Sequence, residues 1–223
     1  MLLSQLVFQA VKNVKYIDDT DFNVDDFRIG TYIINRDLDY INSINNVFAP
    51  LNEAIHRLSD RGKIKNKTTC LGMGKTTYEL PVNPDTKTSD VKSILNAFVL
   101  DEDMNYLRLP FREFGRDKVI VQIGGFTNSP IWIEYQQDIP HFDYTSFDYS
   151  NGNEIDVELK DYGISDTACS YIIEYVQGRL NETIAPELAN MHITRAEQYF
   201  EDLEEQQTSF DQQVVFSKYR IED

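Results

Sequence analysis

His141 stands between Asp138 and Asp143, and a histidine flanked by carboxylates is the one grouping here with the makings of general acid–base chemistry. Proton transfer at a reacting group needs a second positioned partner, and none occurs at motif spacing. The same segment, Asp138 to Asn153, also carries Phe142, Tyr144, Phe147 and Tyr149, the aromatic and acidic composition of an interaction surface. Gly72-Met73-Gly74-Lys75-Thr76 carries the tail of a phosphate-loop pattern, but the glycine required five positions before Gly74 is Thr69. Its flanks read strand–turn–strand, so a hairpin turn is the better reading. His56 and His192 fall on helical patterns without a second ligand at i+3 or i+4, which points to surface or packing roles rather than metal binding. Asp101-Glu102-Asp103 lacks the spaced oxygens and the glycine of a calcium loop and reads as a solvated turn. No Gly-x-Ser-x-Gly elbow occurs. The expectation is a chain with no catalytic residue, no metal site and no cofactor.

The charge balance narrows the partners. Among 223 residues, 37 are Asp or Glu and 21 are Lys or Arg, a formal net charge of −16. Such a surface repels nucleic acid and anionic membranes, although it suits a passage along which DNA must slide without sticking. The one basic cluster is Lys63, Lys65 and Lys67, with Lys75, Arg57 and Arg61 nearby; it reads either as a contact for an acidic partner or DNA phosphate, or as a solvated hairpin base. Cys70 and Cys169 match no zinc or redox spacing and read as reduced thiols of a protein made in the cytosol. Met1-Leu2-Leu3 lacks the basic start of a signal peptide, and no apolar run approaches the ~20 residues of a membrane helix, so a soluble protein is expected. Hydrophobic content of 41% and aromatic content of 12% are enough for a real core.

The elements that must position these residues are helical at both ends of the chain. Leu3, Leu6, Val7, Ala10, Val11 and Val14 mark a short amphipathic helix, and Asp18-Asp19-Thr20-Asp21 interrupts it. A longer helical pattern starts near Val24, with Phe27, Ile34, Leu38, Ile41 and Phe48 as its stripe. Pro50 is expected to kink or split it, and Leu51, Ile55 and Leu58 carry it to Gly62. Between Asp161 and Gln207 two helices form a hairpin. Ala168, Tyr171, Ile172, Tyr175, Val176 and Leu180 stripe the first, behind a Ser165-Asp166 cap. Pro186 opens the second, whose stripe is Ala189, Ile193, Ala196, Phe200 and Leu203. Period-two alternation replaces the helical period from Lys63 to Lys160. Thr68–Leu71 and Thr76–Pro81 read as a hairpin, further strands fall at Ala97–Leu100, Lys118–Ile123 and Pro130–Tyr135, and Val157–Leu159 leads back into the helices. From Ser209 onward, Val214, Val215, Phe216, Tyr219 and Ile221 have strand character, either as a frayed tail or as an arm reaching a neighbouring subunit. The reading is therefore an α+β protein: a helical bundle built from both chain ends (1–62 and 161–208), an inserted small antiparallel β-domain (63–160) and an extended C-terminal arm (209–223).

The order of the parts carries a resemblance. A long N-terminal helix is followed by a Thr-rich hairpin closing on Tyr78-Glu79-Leu80-Pro81, then by Ile131-Trp132-Ile133-Glu134-Tyr135, then by the helix from Ala168 to Leu180, and then by Arg195-Ala196-Glu197-Gln198-Tyr199-Phe200. In this order, from about Val24 to Gln207, the chain resembles the head-to-tail adaptor (connector ring) proteins of short-tailed bacteriophages. The loop from Asp138 to Asn153 is longer and more aromatic than that pattern requires. The resemblance implies a virion structural protein at the head–tail interface, assembled in the host cytoplasm. It implies a homo-oligomeric ring, a dodecamer, between the portal protein and the tail or next ring, with DNA passing through its channel without sequence-specific binding. On this reading Val214, Val215, Phe216, Tyr219 and Ile221, together with Lys63, Lys65 and Lys67, contact the neighbouring subunit or portal, and Phe142, Tyr144, Phe147 and Tyr149 meet the next ring. Another tail-completion or head-decorating protein is the alternative, and a small enzyme using His141 is a further one.

Overall fold

Ser165 is in extended conformation, and its Oγ accepts the Ala168 N–H at 3.2 Å, which starts helix α3 (Asp166–Asn181) at a capped N-terminus. After one turn, Pro186 begins α4 (Pro186–Lys218) at the position where a missing N–H costs nothing. The stripes expected from the sequence pack against each other: Ala168, Tyr171, Ile172, Tyr175 and Val176 are buried from α3, and Ala189, Ala196, Phe200 and Leu203 from α4. Helix α1 (Leu3–Lys12) adds Leu3, Leu6, Val7, Ala10 and Val11, and α2 (Leu38–Asp60) adds Val47, Phe48, Leu51, Ala54, Ile55 and Leu58. The Asp156 carboxylate, far along the chain, accepts the Ser4 N–H at 3.2 Å and caps α1. Ser165→Ala removes the α3 cap and is expected to lower stability by about 1 kcal/mol in chemical denaturation.

The computed structural model describes residues 1–12, 38–83, 89–100, 106–143, 146 and 155–218, with the side chains of residues 12, 38–45 and 204–218 outside that description. The chain is a mixed α+β protein made of two units: Met1–Ile64 with His141–Asp223, and Lys65–Pro140. The helices belong to the first unit and the strands to the second. The inserted segment thus ends at Pro140 rather than at Lys160. Phe142 is the reason, because both its backbone polar groups are bonded by the buried Asn52 side chain of α2. A 3₁₀ turn at Leu159–Tyr162 and the bridge between Leu2 and Glu158 continue the helical unit's framework.

In the second unit β1 (Lys67–Gly72), β7 (Ile131–Gln137), β3 (Val91–Leu100) and β4 (Tyr106–Leu109) form one antiparallel sheet in that order. A second sheet has the order β2 (Thr77–Glu79), β6 (Lys118–Val121), β5 (Phe111–Phe114). The inward residues of both make one core: Tyr78, Ile94, Ala97, Val99, Leu109, Val119, Val121, Ile131, Ile133 and Tyr135 are buried together. The expected hairpin of Thr68–Leu71 with Thr76–Pro81 is not formed. β1 pairs with β7 and β2 with β6, and the glycines between them turn the chain from one sheet to the other. The register shifts between Cys70 and Gly72, whose φ of 108° only glycine adopts without strain.

Two helical expectations also change. Pro50 does not split α2, which runs through it from Leu38 to Asp60. The chain from Ser209 to Lys218 is helix, not an extended arm. Between Glu204 and Lys218 there is no glycine or proline and no stop signal, so extending α4 by one bond per residue outweighs the strand preference of Val214 and Val215. Tyr219, Ile221, Val14, Phe27, Ile34 and the Asp101–Asp103 turn lie outside the described residues. Among the described residues, no helix is long and apolar enough to cross a membrane.

Candidate functional site

Within each unit, the described side chains singled out from the sequence have separate surroundings. His141 is exposed and makes no hydrogen bond or ion pair among the described residues. Phe142, expected to face a next ring, is 1% exposed and meets Tyr162 edge-on at 5.7 Å between ring centroids. It is a core residue of the helical unit, held there by Asn52, and leaves no surface for a partner. Tyr144, Phe147 and Tyr149 lie outside the described residues. The basic cluster disperses as well. Lys63 reaches the Phe200 ring, with Nζ 5.8 Å from its centroid, Lys65 is exposed, and Lys67 on β1 lies 4.0 Å from Asp90. Val214, Val215 and Phe216 lie on the last turns of α4. His56 is exposed. His192 is 4% exposed, and its Nδ1 lies 2.7 Å from Glu174 across the α3–α4 pair, a packed role. No cluster of three metal-ligating side chains occurs among the described residues.

Two of the polar networks among the described residues join several elements, and both order structure. In the helical unit the Tyr175 hydroxyl donates to Glu53 at 2.6 Å, Arg57 pairs with Glu197 at 2.9 Å, and the Arg57 guanidinium stands 5.4 Å from the Phe200 centroid. These contacts join α2, α3 and α4. The ion pairs are half-exposed and contribute little singly; the stacking of Tyr171 on Phe200 at 5.5 Å and on Tyr175 at 5.8 Å is buried. In the β-unit the buried Asp90 accepts from Gln137 Nε2 at 2.8 Å and from the Tyr135 hydroxyl at 3.2 Å. In both networks a buried phenol, Tyr175 or Tyr135, stands beside a carboxylate and holds its proton more tightly than an ordinary phenol.

Burial pushes the phenols of Tyr135, Tyr171 and Tyr175 up to about 12 from an ordinary 10.0; Asp90 adds to the shift at Tyr135 and Glu53 at Tyr175. Burial raises the Cys169 thiol to about 11 from 9.0. Each group holds its proton more tightly when folded. The stability it contributes is therefore complete below its unfolded value and is lost as pH climbs through the folded one. Absorbance titration of tyrosinate should show a native class with a midpoint near 12 that moves to about 10 in denaturant, and stability should fall from pH 9 upward.

The second sheet, of three strands, contributes a surface that the sequence reading missed. Gly115, at φ 73°, opens a three-residue turn between β5 and β6, and the pairing runs Arg112↔Ile120 and Phe114↔Lys118. With Tyr78, Val119 and Val121 inward, strand alternation places Arg112, Phe114, Lys118, Ile120, Thr77 and Glu79 on the outer face. Phe114 is 58% exposed there. The signal was the alternation on both sides of Gly115-Arg116-Asp117. No family model and no curated protein matches the chain.

Proposed function

We propose that the protein is a virion structural subunit, a head-to-tail connector that forms a homo-oligomeric ring between a phage portal and its tail and surrounds the DNA path. The observation that carries this reading is the order of parts: helices from both ends of the chain, an antiparallel β-unit inserted between them, and the recurring residues from Tyr78-Glu79-Leu80-Pro81 to the α3 and α4 helices in the resembling order. The distribution of charge supports it. Lys65–Pro140 carries nine Lys and Arg against ten Asp and Glu, while the rest of the chain carries twelve against twenty-seven, so nearly all of the −16 falls on the helical unit. An acidic channel wall keeps a duplex from adhering. The length of α4 also supports it. Its 33 residues span about 50 Å, roughly twice the 16-residue α3, so half of α4 has no α3 alongside it to pack on. That half is the contact for portal or neighbour on this reading, now as a helix rather than a strand.

A role as another tail-completion or head-decorating subunit rests on the same parts and differs in its partner. The enzyme reading gains no support from His141, which is exposed and has no partner among the described residues. Negative-stain microscopy of the protein mixed with the portal from the same genome tests the connector role. An added layer on the portal is the expected result, and deleting Ser209–Asp223 should thin or abolish that layer while the circular dichroism of the remainder persists. A portal that stays bare with the full chain would sink the connector role.

A further inference from the structure

The outer face of the β2–β6–β5 sheet is an apolar and basic surface on an acidic protein. Its centre is Phe114 and the half-buried Ile120, with Arg112 and Lys118 beside them and Arg116 at the turn. None of these three cations is in an ion pair among the described residues, and Glu79 and Asp117 are the only nearby acids on β2 and the turn. An open sheet face with a bare phenylalanine and three unpaired cations is what a docking surface needs.

A surface of the opposite kind lies along α4. Glu187, Met191, Thr194, Gln198, Glu201 and Asp202 recur at steps of three and four, every one is exposed, and so they form one stripe. Met191 is 40% exposed within it, and Ile184, just before the helix, is 39% exposed. Glu187, Glu201 and Asp202 are in no ion pair among the described residues. The two surfaces complement each other: unpaired acids beside Met191 on one, unpaired bases beside Phe114 on the other.

We propose that the acidic stripe of α4 in one copy of this chain docks on the Phe114 face of the β-unit in the next copy. Because the two surfaces differ, the contact is heterologous, and repeating it head to tail yields a ring when the rotation closes and a filament when it does not. The contact deepens the ring reading above and rests on it only for closure. A hydrophobic centre of Phe114, Ile120 and Met191 supplies the attraction, while the charges set the register and exclude the unlike pairings, stripe on stripe or sheet on sheet.

The test uses the full chain and two charge-reversed variants, Arg112→Glu with Lys118→Glu, and Glu187→Lys with Glu201→Lys. Arg112, Glu187 and Glu201 are exposed, and Lys118 is half-buried on the outer face opposite Glu79, so circular dichroism should match the parent while the sheet variant melts slightly lower. In sedimentation equilibrium the parent should show a weight-average mass that rises with concentration and falls with added salt. Each variant alone should associate more than about a hundredfold more weakly, since like charges then face each other across the contact. Mixed in equal amounts, the two variants should recover the parent's association, because every junction again pairs opposite signs. Phe114→Ser should weaken association without changing its salt dependence. A parent that stays monomeric up to its solubility limit, variants that associate as the parent does, or a mixture that fails to recover would each overturn the proposal. A portal layer that forms undiminished with the Arg112→Glu, Lys118→Glu variant would remove this contact and leave the connector role standing. Charge-dependent self-association with a bare portal would do the reverse.

Discussion

Valine at position 178 should lower the melting temperature of the helical unit by roughly 6–12 °C, from a loss of about 3 kcal/mol. Gly178 is buried where α3 crosses α4, and a β-carbon built on it would stand 2.6 Å from Ile193 Cδ1, 2.7 Å from Ile193 Cγ1 and 3.3 Å from the Ala189 carbonyl oxygen. The first two contacts are far inside van der Waals distance, and the third is with backbone, which cannot rotate away. Alanine would gain about 1 kcal/mol of helix propensity over glycine, which offsets part of its own overlap. Valine gains less and adds two methyl groups to the same space, so the overlap wins. Thermal unfolding of the parent, Gly178→Ala and Gly178→Val should rank in that order of decreasing stability. A valine variant as stable as the parent would mean that the two helices sit farther apart.

The second large effect is expected at Asn52. Its side chain is buried, donates to the Phe48 carbonyl at 2.7 Å and the Phe142 carbonyl at 2.8 Å, and accepts the Phe142 N–H at 2.9 Å. Asn52→Leu keeps the branching and the number of side-chain heavy atoms, and strands the N–H and carbonyl of Phe142 in a buried setting. Orphaned buried groups cost about 1–3 kcal/mol each and leucine returns some hydrophobic transfer energy, so a net loss of about 2–4 kcal/mol is expected. Urea denaturation measures the loss, and hydrogen exchange at the Phe142 amide locates it, because that amide should lose most of its protection. His56→Ala on the exposed side of the same helix serves as the control, with a change within about 0.5 kcal/mol.

Elements whose signal is local can be read from their own residues. The α3 and α4 stripes, the Ser165 cap, Pro186 at the start of α4 and the five apolar residues of α1 were all legible, because burial at a spacing of three and four, a capping oxygen and a proline act within a few residues. The mixed α+β character and the insertion of strands between helices followed from the change of period near Lys63. The remaining features depend on contacts between segments far apart in the chain. Whether β1 pairs with β2 or with β7 depends on which partner lies across the core, and a strand's own residues do not record that. Burial of Phe142 depended on Asn52, ninety residues earlier, and the close approach at Gly178 on Ile193 of the facing helix. The last turns of α4 show the same limit within one element: valine-rich residues that favour strand in isolation propagate as helix when no breaker separates them from a helix already nucleated and packed. Local chemistry sets what each segment can be, and contacts between segments distant in sequence select what it becomes.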